Sequence, residues 1–329
     1  MMRPLASQLF VLAALSLLSV LPASPCTAEV IRSVKHVDTT YLLLPDVARY
    51  YGMNLRTSGR RMELLSRYSR LVFQKDKREM VLNDVPVHQS FAPSIWRGYP
   101  VISNSDFHEI LEPVLRRASL PRQKVRRIVL DPGHGGRDPG AIGDRVEEKD
   151  IVLALAVRTR RRLLQYGYDV VLTRSGDEFL ALSERSERAN QVRADVFVSF
   201  HINAVDNAGV RGIETFALTP PGTPSTYGSR RTTDPAKGDD YIRHSMCLGY
   251  EIQRQLIENT RAEDRGVRRA NFAVLRETAA PAVLIEAGFL TNRTEERRLM
   301  SAEYQERIAA AVVEGIRRYA KAVDPDSQS

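Results

Sequence analysis

Short apolar runs separated by helix-like stretches most constrain what this chain can fold into. From Ile128 onward, Arg127 to Leu130, Asp169 to Thr173, Asp195 to Ser199, Gly212 to Leu218 and Ala282 to Ile285 read as strands. Between them, Asp150 to Tyr166 repeats apolar residues at helical spacing and stops at Gly167. Leu182 to Val192, with Ser183 or an earlier residue as cap, Met246 to Glu258 and Glu295 to Ala320 also read as helical. Such alternation specifies a layered α/β domain over residues 126–322, with 323–329 as a tail.

The preceding region has a different texture. Arg61 to Leu65, Leu71 to Gln74, Glu79 to Leu82 and Val85 to His88 are strand-like, with Asn83-Asp84 as a tight hairpin turn. Leu43 to Tyr51 and Asp106 to Arg116 read as short helices, the second capped by Ser105 or Asp106. Residues 31–116 thus form a small α+β module. The basic, proline-containing stretch 117–125 reads as a linker. The module carries no acid, nucleophile or metal cluster; His36, His88 and His108 stand alone. It resembles the stalk-like N-terminal module of some copper amine oxidases, without their copper ligands, and a wall-binding or localising role is expected.

Residues 1–28 read as a signal peptide. Arg3 is followed by the apolar run Leu9 to Leu21, too short for a comfortable membrane span, and by a cleavage position after Ala28. Cleavage leaves Cys247 as the only cysteine and excludes an intrachain disulfide. It also leaves no stable membrane span. Pro25 before Cys26 fits a lipidation signal poorly. The full chain carries 48 Lys and Arg against 40 Asp and Glu, so an anionic partner is favoured. Export to the periplasm or cell envelope sets nucleic acid aside and favours an extracytoplasmic acidic polymer.

Chemistry-bearing residues gather at strand ends. His134 lies in the glycine-rich turn after the first strand of this domain, where glycines let backbone crowd close to the imidazole. That turn lacks the spacing of a phosphate-binding loop. Glu147 and Glu148 precede a helix, where carboxylates also complement the dipole. His201 and Glu286 each follow an apolar strand. A carboxylate placed there is costly unless paired or used. Two imidazoles and a carboxylate make a common catalytic zinc set, with the second Glu as a base.

Together these runs resemble the zinc-dependent N-acetylmuramoyl-L-alanine amidases of the AmiC/CwlC type (Amidase_3). The resemblance rests on Ile128-Val-Leu-Asp-Pro-Gly-His-Gly-Gly, Glu148-Lys-Asp150, Ser199-Phe-His-Ile-Asn-Ala and Leu284-Ile-Glu-Ala-Gly-Phe-Leu. Asp264-Arg-Gly-Val267 and Phe272-Ala-Val-Leu-Arg276 add to it. It implies a mixed β-sheet flanked by helices, with one zinc held by His134, Glu148 and His201. It also implies Glu286 as catalytic acid/base and peptidoglycan as substrate, cut between the muramic lactyl group and L-alanine. Glu148 rather than Glu147 fits by its place beside Lys149. Arg265, Arg268 and Arg269 are candidates for holding stem-peptide carboxylates, or form a solvated basic face. The Pro/Gly/Ser/Thr-rich stretch after Leu218 is expected as a loop at the cleft mouth, where some members carry an autoinhibitory helix. His244 and Asp239-Asp240 near its end are either a plug for the metal site or a helix start. Competing readings are a zinc peptidase of stem peptides and a non-catalytic wall-binding protein; the sequence names no activator protein.

Overall fold

The computed structural model describes residues 30–36, 38–229 and 231–324. Residues 1–28, expected from the sequence to be a signal peptide, and residues 325–329 of the tail lie outside the described residues.

The N-terminal region begins with β1 (Ser33–His36), β2 (Thr39–Leu43), α1 (Leu44–Tyr50) and the meander β3 (Asn54–Ser58), β4 (Arg61–Leu65), β5 (Arg70–Gln74), β6 (Glu79–Leu82) and β7 (Val85–His88). The β6–β7 turn has Asn83 at φ 46° and Asp84 at φ 68°, the left-handed pair that a tight hairpin needs and that these residue types tolerate. Then come β8 (Ser94–Trp96), β9 (Tyr99–Ser103), α2 (Asn104–Asp106), a wide helical turn Phe107–Leu111 and α3 (Glu112–Leu115). The cap is Ser103, whose hydroxyl accepts from Asp106 N, so this helix starts before the capping positions read from sequence. Asp106 is engaged elsewhere: its carboxylate accepts from Ser90 N and Phe91 N.

The remainder contains β10 (Arg127–Pro132), α4 (Glu148–Gln165), β11 (Asp169–Leu172), α5 (Leu182–Gln191), β12 (Val196–Asn203), β13 (Ile213–Leu218), α6 (Ile242–Thr260), β14 (Asp264–Ala270), α7 (Ala273–Arg276), β15 (Ala282–Phe289), α8 (Arg293–Met300) and α9 (Ala302–Val323). Strands β11, β10, β12 and β15 are parallel neighbours, and β13 joins antiparallel to β15. The fold is a mixed β-sheet flanked by helices. One face packs Ile128, Leu130, Val198 and Ile285 against α4, α6 and α9. The other packs Val129, Phe197, Phe216 and Leu284 under α5 and α7. Strand alternation puts His201, Glu286 and Glu214 on this second, less covered face.

Residues 117–125 are not a free tether. Leu120 and Val125 are buried in the core under α4, α6 and α9, and Gln123 N donates to Val323 O. The N-terminal strands also continue the sheet that holds β10–β15. Strand β7 pairs with β14 at Val87 and Val267, giving one sheet in the order β11-β10-β12-β15-β13-β14-β7-β6-β5-β4-β3. Met246 and Tyr250 of α6 share a core with Leu64, Phe73 and Met80.

Gly266 makes the β7–β14 junction possible. Its φ is +80°, and a Cβ there would lie 2.2 Å from Pro86 O. Gly266→Ala is therefore expected to destabilise the chain by about 1–3 kcal/mol, read as a lower midpoint of thermal unfolding. An unchanged midpoint would show that the junction yields without cost.

Candidate active site

The site is built on a loop held from behind. Asp131, next to last in strand β10, is fully buried and accepts from Thr173 Oγ1 (2.6 Å), Ser199 Oγ (2.8 Å) and Arg185 Nη1 (2.8 Å). Arg185 also donates to Pro132 O and His134 O. Arg174 donates to Pro132 O and Gly133 O. Two buried guanidiniums thus hold three consecutive carbonyls, and this supports His134 at φ 58°, a conformation rare for a residue with a Cβ. Nearby glycines leave space for the ligating groups. A Cβ on Gly133 would meet His201 Cε1 at 2.4 Å, and one on Gly140 would meet Glu148 Oε2 at 2.5 Å.

The structure brings His134, Glu148 and His201 together. His134 Nε2 lies 3.2 Å from His201 Nδ1 and 3.2 Å from Glu148 Oε1, which is 3.0 Å from His201 Nδ1. Three donor atoms at these spacings can hold a metal ion; tetrahedral zinc with bonds of about 2.0–2.1 Å keeps its donors about 3.3 Å apart. His134 Nδ1 faces Asp138 Oδ2 at 2.8 Å. A proton on that nitrogen leaves the Nε2 lone pair pointing into the triangle.

Glu148 opens α4 and is buried, its Oε1 accepting from Ile202 N and its Oε2 from Ala141 N. Burial opposes its charge, but hydrogen bonds and charges from His134 and His201 prevail and hold its carboxyl down to about 2. Burial likewise opposes charge on His134, and Glu148 and Asp138 outweigh it and raise the imidazole above its ordinary value. Glu147 turns away and ion-pairs with Lys149 at 3.3 Å.

Glu286 sits beside this triangle, paired in register with His201 on β12 and with Glu214 on β13. Its Oε2 is buried and has no hydrogen-bond partner. Among the described residues no guanidinium pairs with it. Burial, then the charges of Glu148 and Glu214, push its carboxyl well above the ordinary value. A carboxyl group whose proton affinity is raised in this way can take and return a proton.

Glu214 does not stand out in the sequence reading. It is buried, ion-pairs with Arg265 at 3.0 Å and Arg268 at 2.6 Å, and accepts from Tyr227 Oη and Asn203 Nδ2. Its signal is a lone acid in an apolar strand, Ile213-Glu-Thr-Phe, the same cost argument that draws attention to Glu286. Glu295 also escapes the sequence reading: it accepts from Gly212 N and Phe289 N, tying the start of β13 to the end of β15.

Other candidates fall elsewhere. Arg268 and Arg269 are buried, not a solvated face, and Arg269 donates to Leu218 O and Glu109 O. Arg265 lies on the site's edge, stacked over Phe289. His244 is buried and faces Tyr319 Oη at 2.8 Å; burial first and then Arg243 hold its imidazole down to about 4. That makes it a core residue, not a plug. Asp239 opens a short 3-10 turn, Asp239–Tyr241, ahead of α6 and accepts from Ala236 N. His88 contacts Arg268 at 3.4 Å, His36 packs on Tyr41 and His108 on Phe107.

Three side-chain donors that could hold a metal ion, beside a buried carboxyl of raised proton affinity at the carboxyl ends of a mixed sheet, fit a hydrolytic α/β enzyme. More narrowly, the chain belongs to the Amidase_3 family, N-acetylmuramoyl-L-alanine amidase, whose profile matches residues 128–318. The N-acetylmuramoyl-L-alanine amidase AmiA of Escherichia coli K12 is 37% identical over 219 residues, covering 59% of this chain and 76% of AmiA. AmiC of Neisseria meningitidis is 34% identical over 247 residues, 68% of this chain and 58% of that protein. The solved catalytic domain of the amidase CwlV from Bacillus (Paenibacillus) polymyxa is 34% identical, with a TM-score of 0.51, covering 59% of this chain and 98% of that one.

The buried Asp131–Arg185 pair generates a prediction. Arg185→Ala leaves Asp131 charged and short of its cation, which typically costs about 3–5 kcal/mol. Urea unfolding should show a loss of that order, with activity falling even where the fold survives. A loss below about 1 kcal/mol would mean that Thr173 and Ser199 alone satisfy Asp131.

Proposed function

We propose that this enzyme hydrolyses the amide between the lactyl group of N-acetylmuramic acid and L-alanine in peptidoglycan. In this reading His134, Glu148 and His201 hold one zinc ion and Glu286 is the catalytic acid/base. The observation that carries it is the unpartnered Oε2 of Glu286 beside a triangle of inward-facing donors. The donor set fits zinc: two imidazoles and one carboxylate, with one position left open. Zinc, when bound, supplies Lewis acidity that lowers the pKa of water to about 7 and polarises the scissile carbonyl.

The remaining steps belong to the chain. Glu286 accepts the proton of the attacking water and returns it to the leaving amine of L-alanine. Burial and the charges of Glu148 and Glu214 raise its proton affinity, so the same group serves as base and then as acid. Asp138 holds the His134 ring in one tautomer. The buried Arg174 and Arg185 keep the loop rigid, so the site does not reorganise as charge develops.

The reading places the protein outside the cytoplasm, exported by residues 1–28 to the periplasm or cell envelope, where peptidoglycan is its partner. No helix among the described residues is long and apolar enough to cross a membrane. Residues 31–116 serve wall contact or localisation, and residues 126–322 carry the chemistry.

Product analysis tests the reaction. Digestion of purified peptidoglycan should release free lactyl carboxyls and new L-alanine amino termini, and a chelator should stop it. New termini inside the stem peptide would indicate a peptidase instead, and intact wall with bound protein would indicate a non-catalytic binder. Glu286→Gln keeps shape but cannot take a proton, so turnover should fall by roughly 10²–10⁴ with metal content and melting temperature unchanged. A stable, metal-loaded Gln variant with near-normal turnover would refute the assignment.

A further inference from the structure

Residues of the N-terminal module reach the edge of the site. Arg78, between β5 and β6, is partly buried with its donors engaged by backbone carbonyls. Its Nε donates to Gln89 O (2.9 Å), its Nη1 to Ser225 O (3.1 Å) and its Nη2 to Pro224 O (2.9 Å). The last two belong to the loop after β13. A guanidinium fork on successive carbonyls fixes the direction of the chain that leaves them.

That loop is a small hairpin. Gly222 N donates to Thr232 O, and Pro224 bridges Arg231. No helix occupies 219–238 among the described residues. Thr226 is locked to β14, its N donating to Arg269 O and its Oγ1 accepting from Arg269 N. The next residue, Tyr227, sends its hydroxyl to Glu214 Oε2 at 3.1 Å, and Glu214 stands directly across from Glu286. Yet the residue is 66% exposed. Its face lies 5.1 Å from the Arg268 guanidinium, and its ring centre 6.3 Å from that of Phe216, which stacks in turn on Phe272. An aromatic ring tied down by its hydroxyl but open on its apolar surface is preorganised for a ligand, because little entropy remains to be lost.

We propose that Arg78 is a positioning residue for the reaction, holding the 222–232 hairpin so that Tyr227 forms a substrate-contacting wall beside Glu286. The inference rests on the amidase reading of this site. The N-terminal module then has a second role, completing the cleft across which the wall fragment lies. Tyr227 meets substrate; Arg78 acts only through the hairpin. Because neither group handles the proton, the effect belongs in substrate binding and not in the chemical step.

The test is steady-state kinetics on soluble muropeptide with full-length, metal-loaded wild type, Arg78→Ala, Arg78→Lys, Tyr227→Ala and the Arg78→Ala/Tyr227→Ala double variant, each with a melting curve. Tyr227→Ala and Arg78→Ala should each raise KM about tenfold and leave kcat within about twofold. Arg78→Lys, which can reach one carbonyl but not two, should fall between. The double variant should be no worse than Tyr227→Ala, since both changes remove one contact. If Arg78 only fastens the module, Arg78→Ala lowers the melting temperature and leaves KM unchanged, which overturns the proposal. Tyr227→Ala removes an exposed ring and should fold in any case; an unchanged KM there also overturns it. Wild type that releases no L-alanine termini would instead defeat the amidase reading itself.

Discussion

The buried ion pair between Asp131 and Arg185 sets the geometry on which the site depends. Asp131 is next to last in β10, and Arg185 comes from α5, which packs on the face of the sheet that carries Val129 and Phe197. Their contact is worth little as net stability, because both charges lose water. Its value is in placement. The same guanidinium reaches Pro132 O and His134 O, and Arg174 takes Pro132 O and Gly133 O. A loop so held can keep His134 in a left-handed conformation and aim its imidazole at His201 and Glu148. Deformation would leave buried donors without acceptors, which keeps the loop rigid.

From that fixed loop the rest follows across the sheet. His201, Glu286 and Glu214 occupy facing positions on neighbouring strands, so one register aligns an imidazole with two carboxyl groups. Glu214 is ion-paired with Arg265 and Arg268, whereas Glu286 is left unpaired. Two carboxylates on adjacent strands thus have opposite fates, decided by which of them meets a guanidinium. The unpaired one has its proton affinity raised by burial and by the carboxylates beside it.

Much of this is legible in the sequence. The apolar runs at Ile128, Val196 and Val283 mark strands, and their polar ends mark the site, because a charge beside a buried strand demands a reason. Asn83-Asp84 marks its hairpin through the left-handed turn that these residues accept. Strand β14 is not legible: its Asp264-Arg-Gly-Val-Arg-Arg-Ala sequence looks like a surface segment. Arg268 is buried there by pairing with Glu214, and Arg269 by donating to two carbonyls. Arg174 and Arg185 are hidden for the same reason, since their partners are largely main-chain oxygens that leave no mark on sequence. The continuation of the sheet from β14 into β7 is equally silent. It rests on the pairing of Val87 with Val267, and long-range strand pairing leaves only the common signals of strand and turn.

In the proposed mechanism the triangle of His134, Glu148 and His201 holds the metal, completed by Glu148 and not by its neighbour. Zinc content of the purified protein, measured beside Glu148→Ala and Glu147→Ala, tests this most directly. The account predicts one zinc per chain in the unaltered protein and in Glu147→Ala, and loss of the metal in Glu148→Ala with the fold retained. Zinc retained in Glu148→Ala but lost in Glu147→Ala would contradict it.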